Sequence, residues 1–437
     1  MTAAFSRRTA LRLALGVGAG AVLTACGTGG DSDASGDLTK ENITLRFTWW
    51  GSDARHKRTQ QVIDLFQKAH PNITVKGEFK DWNGYWDSLA TTVAANDAPD
   101  IIQMDELYIS SYAQRGALLD LGTASKHLQT GDFDPNALGT GKVDGKLYGL
   151  PVGLTTYSMI VNTDLLKQYN IELPDDTKWT WDDLKTIGAK VSAAGGGKVT
   201  GVQSWGFDIG GVNIWARQAG GSLYDDKGKV VIEPAVLAAY WQYLVDISKS
   251  GVAPPASVSV ERAGAGLDQS GTATNTSAFG TWWNTQLTSL TAASGKSLKL
   301  LKLPGEAQAK SPGAYYKPSM YWSVSSRSKH AAEAAAFVDY LANSQESADV
   351  LQTDRGVPAN SKIRQTLAAK LGATDKAAAE YLDAVKVGAP PRVTPKGASS
   401  VETILKRYTE DVLFGRKSPQ DAAAAFIKEL QGEIDAA

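Results

Sequence analysis

One cysteine, Cys26, stands in 437 residues, and the four histidines, His56, His70, His127 and His330, are scattered without metal-ligand spacing. That excludes a disulfide framework, thiol catalysis and a His-rich metal site. An excess of charge is missing too. Against 46 acidic side chains stand 45 basic ones, and Arg7, Arg8 and Arg12 belong to the first 25 residues, so the remainder is mildly acidic. A nucleic-acid binder needs a basic face, which this balance does not supply. The uncharged run Leu13–Ala25 has 13 residues, short of the roughly 20 that span a bilayer as a helix. Catalytic signatures are absent as well. Around Ser204 the position two before is Val202, so there is no Gly-x-Ser-x-Gly elbow. Gly295-Lys296-Ser297 lacks the glycine of a phosphate loop, with Leu290 in its place. Gly195-Gly196-Gly197 has the wrong spacing for a dinucleotide and suits a helix end. Carboxylate pairs remain at Asp105–Glu106, Asp182–Asp183 and Asp225–Asp226, but adjacent residues cannot flank one glycosidic bond from opposite sides. No catalytic residue, metal or cofactor is expected.

What is there begins with an address. Arg7, Arg8 and Arg12 ahead of a short apolar run make residues 1–25 a signal peptide. Ser6-Arg7-Arg8-Thr9-Ala10-Leu11 resembles the twin-arginine export pattern, with Ala10 where an aromatic is more usual, so the general secretion route also fits. Leu23-Thr24-Ala25-Cys26 resembles a bacterial lipobox, in which the thiol becomes the thioether carrying a diacylglycerol. Two acyl chains suffice for stable anchoring. Residues 26–40, rich in Gly, Ser and Asp, form the lipidated cysteine and a flexible tether.

Beyond the tether, Ile43, Leu45, Phe47 and Trp49 alternate with polar residues as in a strand. A helix with Val62, Phe66 and Ala69 on one face ends before Pro71, and a strand Ile73 to Phe79 completes a β–helix–β unit. The pattern continues as helix Trp82 to Ala94, strand Asp100 to Met104 and helix Glu106 to Arg115. A second set holds a strand Leu154 to Val161 and a helix Trp181 to Ala194 with Thr180 and Asp183 as its capping box. There follow a hairpin over Leu223 to Ile232 and strands near Thr276 to Trp282, Leu298 to Leu303 and Ser319 to Ser325. From Ala331 the chain is nearly all helix, ending in an amphipathic Pro419 to Ile434. Strands alternating with helices predict mainly parallel sheets flanked by helices, an α/β fold.

The conspicuous residues are aromatic, with 12 Trp and 15 Tyr. Trp49 and Trp50, Trp82 and Tyr85, and Trp282 and Trp283 fall where strands give way to loops, which in an open α/β sheet is the ligand crevice. Any one of them alone could be core. Together at loop ends they suit a sugar, whose C–H faces stack on flat rings and whose hydroxyl rim takes Asp, Asn or Arg.

Particular stretches sharpen this. Pro99-Asp-Ile-Ile-Gln-Met-Asp105 with Tyr112 to Asp120, Lys146-Leu-Tyr-Gly-Leu-Pro151 through Asn162, Thr180-Trp181-Asp-Asp-Leu184, Gln218-Ala-Gly-Gly221, Gly280-Thr-Trp-Trp283 and Ser323 to Leu341 occur in an order similar to that of the extracellular solute-binding proteins, family 1, of ABC sugar importers. This is the class of maltose-binding protein. The resemblance runs from about residue 43 to the C-terminus. It implies a two-lobe periplasmic-binding-protein fold (type II) with ligand held between the lobes. Crossovers fall near residues 152, 317 and 380, so that 41–152 plus 318–379 form the N-terminal lobe and 153–317 plus 380–437 the C-terminal lobe. By resemblance Trp50, Asp53, Asp105 and Trp282 become ligand contacts, Asp53 having helix capping as its other role. Trp82, Tyr157, Asn213 and Trp215 join them on position and chemistry. Met104 stands where the maltose-binding pattern has a ligand aromatic, which speaks against maltose itself. The implied function is capture of a sugar, an oligosaccharide first of all, by a monomer that is lipid-anchored outside the cell and delivers it to an ABC permease. The competing readings are a binding protein for a charged solute such as a polyamine or phosphate ester, and a secreted glycosidase.

Overall fold

A strand inside a sheet covered on both faces is buried on both sides, and β1 (Ile43–Trp50) has that character over its carboxyl half, Phe47–Trp50. Leu45, Phe47 and Trp49 join one buried cluster with Val62 and Phe66 of α1 (Asp53–Ala69). Trp50 points the other way, into a cluster with Tyr85, Trp86 and Leu89 of α2 (Trp82–Ala94). The computed structural model describes residues 34–51, 53–80 and 82–437. The signal peptide, Cys26 and the side chain of Asp53, all singled out above, lie outside the described residues.

Six strands make the first sheet, in the order β10-β4-β9-β3-β1-β2. Here β2 is Ile73–Lys80, β3 Ile101–Met104, β4 Leu150–Thr155, β9 Lys317–Val324 and β10 Val357–Pro358. The second sheet runs β8-β5-β7-β6, with β5 Tyr157–Asn162, β6 Thr200–Val202, β7 Ser277–Trp283 and β8 Leu298–Leu301. Each sheet has its own hydrophobic core. Helices α3 (Trp181–Ala194), α4 (Ile209–Gln218), α5 (Pro234–Lys249), α9 (Val401–Leu413) and α10 (Pro419–Asp435) pack on the second. The first is flanked by α7 (Ala331–Asn343) and by α8 (Ala373–Ala384). The loop before the second sheet's last strands carries α6 (Ala256–Ala263). This is the expected α/β architecture of two lobes.

Some details depart from expectation. The sheets are mixed and not mainly parallel: only β1–β2, β1–β3 and β6–β7 run parallel. β9 returns from the other lobe, so no helical crossover ties it to its neighbours β3 and β4, and it pairs antiparallel with both. The single strand expected over Leu154 to Val161 is two. β4 ends at Thr155 and β5 starts at Tyr157 in the other sheet, the break being held by Asn284 Oδ1, which accepts from Thr156 N–H at 2.9 Å and Thr155 Oγ1 at 2.8 Å. The hairpin over 223–232 is reduced to one bridge, Tyr224 to Val230. The capping box is present: Asp183 N–H donates to Thr180 Oγ1 and Thr180 N–H to Asp183 Oδ2. Finally, the chain is not a free tether up to residue 40. Ala34 is buried in the first lobe's core, Asp37 pairs with Lys126 at 2.7 Å and Thr39 N–H donates to Glu333 Oε1 at 2.6 Å, so residues 34–40 lie on that lobe.

Candidate functional site

Residues of both lobes enclose a cavity of about 180 Å³. From the first lobe come Trp82, at the start of α2, and Asp105 and Glu106, just past the carboxyl end of β3. From the second come Asn213 and Arg217 of α4, Trp283 at the end of β7, and Tyr315. Lys317 opens β9 at the junction.

Trp82 is 38% exposed and stands on a stack of rings. Trp50 meets it edge-on at 5.0 Å and Trp86 at 5.4 Å, while Trp86 lies against Tyr108 at 3.9 Å. Across the space, Trp283 is fixed by its own partners. Its indole N–H donates to Asp208 Oδ2 at 3.1 Å, and Tyr157 abuts it edge-on at 4.5 Å. Asp208 also caps α4, accepting from Gly210 N–H at 2.7 Å. Position 210 must be glycine, since a Cβ there would lie 2.8 Å from the Trp283 ring.

Charge is concentrated between these rings. Lys317 Nζ pairs with Glu106 Oε1 at 2.7 Å and lies 5.6 Å from the centre of the Trp283 ring, which links the two walls. Burial opposes the lysine charge, and the Glu106 and Asp105 carboxylates more than offset it, so its pKa stands above the ordinary lysine value. Asp105 is 9% exposed, and its Oδ1 accepts from Leu107 N–H at 3.0 Å. Burial pushes its carboxyl up to about 6; the Lys317 ammonium opposes this and Glu106 adds to it. Glu402 of α9, half-buried on the second lobe's side, is likewise raised by burial and then by Asp208. Arg217 Nε donates to Gly313 O at 3.2 Å, with the guanidinium 5.5 Å from the Tyr315 ring centre.

Not all the sequence candidates meet here. Trp82, Asp105 and Asn213 line this cavity, and Asn213 Nδ2 donates to the Tyr315 hydroxyl at 3.4 Å. Tyr157 and Trp282 line a neighbouring space of about 310 Å³ within the second lobe. Trp50 reaches neither, because consecutive residues of a strand point to opposite faces and both faces of β1 are covered; it serves as the floor under Trp82. Trp215 also turns away. Asn213 and Arg217, four apart on α4, share the cavity face, whereas Trp215 falls on the other side of the helix against Trp181, Tyr240 and Tyr243. The side chain of Asp53 lies outside the described residues.

Sequence reasoning passed over Glu106, Lys317, Arg217 and Tyr315. Glu106 is visible as the neighbour of Asp105, where the sequence presents it only as half of a carboxylate pair. Arg217 could have been found from its i, i+4 spacing to Asn213. Lys317 and Tyr315 carry no local signal, since only the return of β9 to the first sheet brings them to the cleft. Among the described residues no group of His, Cys, Asp and Glu is arranged to hold a metal ion.

The comparisons agree with this architecture. The pattern of the bacterial extracellular solute-binding proteins matches residues 61–380. A solved structure, an extracellular solute-binding protein of family 1 from Alicyclobacillus acidocaldarius, is 30% identical with a TM-score of 0.74, covering 91% of this chain and 99% of that one. The diacetylchitobiose binding protein DasA of Streptomyces coelicolor is 29% identical over 189 residues, 41% of this chain and 43% of the relative. An arabinooligosaccharide-binding protein of Bacillus subtilis is 24% identical over 241 residues, 54% of this chain and 53% of the relative. The chain thus spans about a third to a half of the length of the curated relatives it matches. With a family pattern over 320 consecutive residues and a two-lobed fold to match, the chain belongs to the bacterial extracellular solute-binding proteins.

Proposed function

We propose that this protein captures an oligosaccharide between its lobes and delivers it to the permease of an ABC importer, held at the outer face of the cell membrane by a diacylglycerol on Cys26. One observation carries the reading: Trp82 on one lobe and Trp283 on the other line a common space whose remaining wall mixes apolar and aromatic residues with the polar and charged Asp105, Glu106, Asn213, Arg217 and Lys317. Indole faces offer the apolar half of sugar recognition, and Asp105, Glu106, Asn213 and Lys317 offer bonds to the hydroxyls. Relatives that bind diacetylchitobiose and arabinooligosaccharide support the ligand class. The lobes divide near the expected crossovers at residues 152, 317 and 380, with β4 carrying the first lobe on to Thr155 and residues 34–40 added to it, and ligand drives their closure through its greater affinity for the closed form. The protein binds its sugar without turning it over.

Calorimetry on the mature protein tests this, with three ladders: glucose to maltotriose, N-acetylglucosamine to triacetylchitotriose, and arabinose to arabinotriose. Saturable binding of at least one ladder is expected, with the sugar recovered intact. No heat from any sugar refutes the reading, and hydrolysis makes it a glycosidase. A second reading, a cationic solute, draws on the raised carboxyls of Asp105 and Glu402; spermidine binding in place of sugar binding would establish it.

A further inference from the structure

Residues 34–41 do not trail from the first lobe but are bonded to one end of it. Asn72 Nδ2 donates to Thr39 O at 2.9 Å and to Glu41 O at 3.2 Å. The Thr39 N–H donates to Glu333 Oε1, in the first turn of α7, and Glu333 is only 4% exposed, so a buried carboxylate finds its partner in this segment. His127 Nε2–H donates to Gly36 O at 2.6 Å, and Ala34 enters the lobe's core. These partners share the end where β1, β2 and β3 begin. Asn72 stands one residue before β2 and accepts from Ile43 N–H, at the start of β1. Ser325 N–H donates to Asp100 O just ahead of β3, and Ser325 pairs with Leu118, which leads into the short turn Leu121–Ala124 before His127. The cleft is at the opposite end, since Trp82 and Asp105 follow the carboxyl ends of β2 and β3. At roughly 3.3 Å per residue, the seven steps of β2 set the two ends roughly 23 Å apart.

Seating this segment shortens the leash. From Cys26 to Ile43 the chain takes seventeen residue steps, roughly 60 Å at full extension. From Cys26 to Ala34 it takes eight, whose upper bound is roughly 28 Å, little more than the length of β2. On the longer leash either end of the lobe reaches the lipid equally well; on the shorter one the seated end stays near it. We infer that residues 34–41 are a clasp that fastens the lipid anchor to the end of the first lobe remote from the cleft, so that this end faces the phospholipid surface and the cleft opens away from it. This rests on the lipidation of Cys26 proposed above.

Because the lipid takes the chain's one cysteine, an added cysteine is a unique site for a dye. Lys68→Cys, in the last turn of α1, marks the seated end, and Lys80→Cys, the last residue of β2, marks the cleft end; both residues are exposed. The lipidated protein is reconstituted in phosphatidylcholine vesicles, and energy transfer to a rhodamine-labelled lipid gives the height of each dye. The dye at 68 should lie at least about 10 Å nearer the surface than the dye at 80, out of the roughly 23 Å that separates them along the strand. Ala34→Asp puts a charge where the core accepts none and should reduce that difference to less than about half. Hydrogen exchange on the mature protein without lipid reads the seating by itself: the Thr39 amide should exchange at least about a hundredfold more slowly than an exposed one. Equal heights in the wild type, a difference that Ala34→Asp leaves intact, or an unprotected Thr39 amide overturns the inference while the anchor stands. Protein that carries no lipid and does not sediment with vesicles refutes the anchor itself, and the inference falls with it, leaving the sugar reading of the cleft untouched.

Discussion

Asp105→Asn should stabilise the free protein at neutral pH and weaken its grip on ligand. The carboxyl is 9% exposed, and burial pushes its pKa from 3.8 up to about 6. Below pH 3.8 the group is protonated folded or unfolded and has no effect on the balance. As pH rises, the unfolded chain loses its proton first, so the folded state loses stability until pH passes about 6. A shift of about two units corresponds to about 3 kcal/mol. Asparagine keeps an oxygen for the Leu107 N–H and removes the buried charge, but it also takes part of the counter-charge from Lys317. The net gain above pH 7 is therefore about 1–2 kcal/mol. Urea denaturation of both proteins from pH 4 to pH 8 measures it: the curves should coincide at pH 4 and separate through pH 6. A variant less stable at pH 8, or a difference constant over the whole range, would refute the account of Asp105 as a buried carboxylate kept at a cost for binding.

Three further outcomes follow from the geometry. Trp283→Ala should weaken the best sugar at least tenfold, about 1.4 kcal/mol in calorimetry, because the ring faces both cavities; unchanged affinity removes Trp283 from the site. Gly153→Ala drives a Cβ into the Arg355 carbonyl oxygen, where β4 meets the chain just before β10, and should cost more than about 2 kcal/mol in urea. Thr180→Ala breaks the capping box of α3 and should cost about 1 kcal/mol with sugar affinity intact, since none of its bonds faces either cavity.

How far the sequence foretells these features depends on the range of the interactions involved. Helices α2, α3 and α7 have the expected limits because their signals are local: Thr180 with Asp183 at one start, periodic apolar residues along the others. Antiparallel pairing is not legible locally because it depends on β9 entering the first sheet from the other lobe, and the crossover that decides this leaves no mark in any short window. The same divide runs through the site. Trp82 and Asp105 sit at element ends and are found by position. Trp50 and Trp215 share their chemistry and their nearness to loops, yet strand alternation and helical phase turn both inward. In the Trp282–Trp283 pair the two rings leave opposite faces of β7 and line cavities, whereas Trp49 and Trp50, likewise the last two residues of their strand, are packed under α1 and α2.

The connection between the lobes explains how one buried amide can matter to a site it does not touch. Asn284 is fully buried one residue after Trp283, and its Oδ1 holds Thr155 and Thr156 where the chain leaves one sheet for the other. Its Nδ2 donates to Ala378 O at 2.8 Å, in α8, which packs on the first lobe's core. A single side chain thus ties the end of β7 to two segments anchored in the opposite lobe. Trp283 inherits that position through one peptide bond, and Lys317, at the start of β9, reaches over its ring to Glu106.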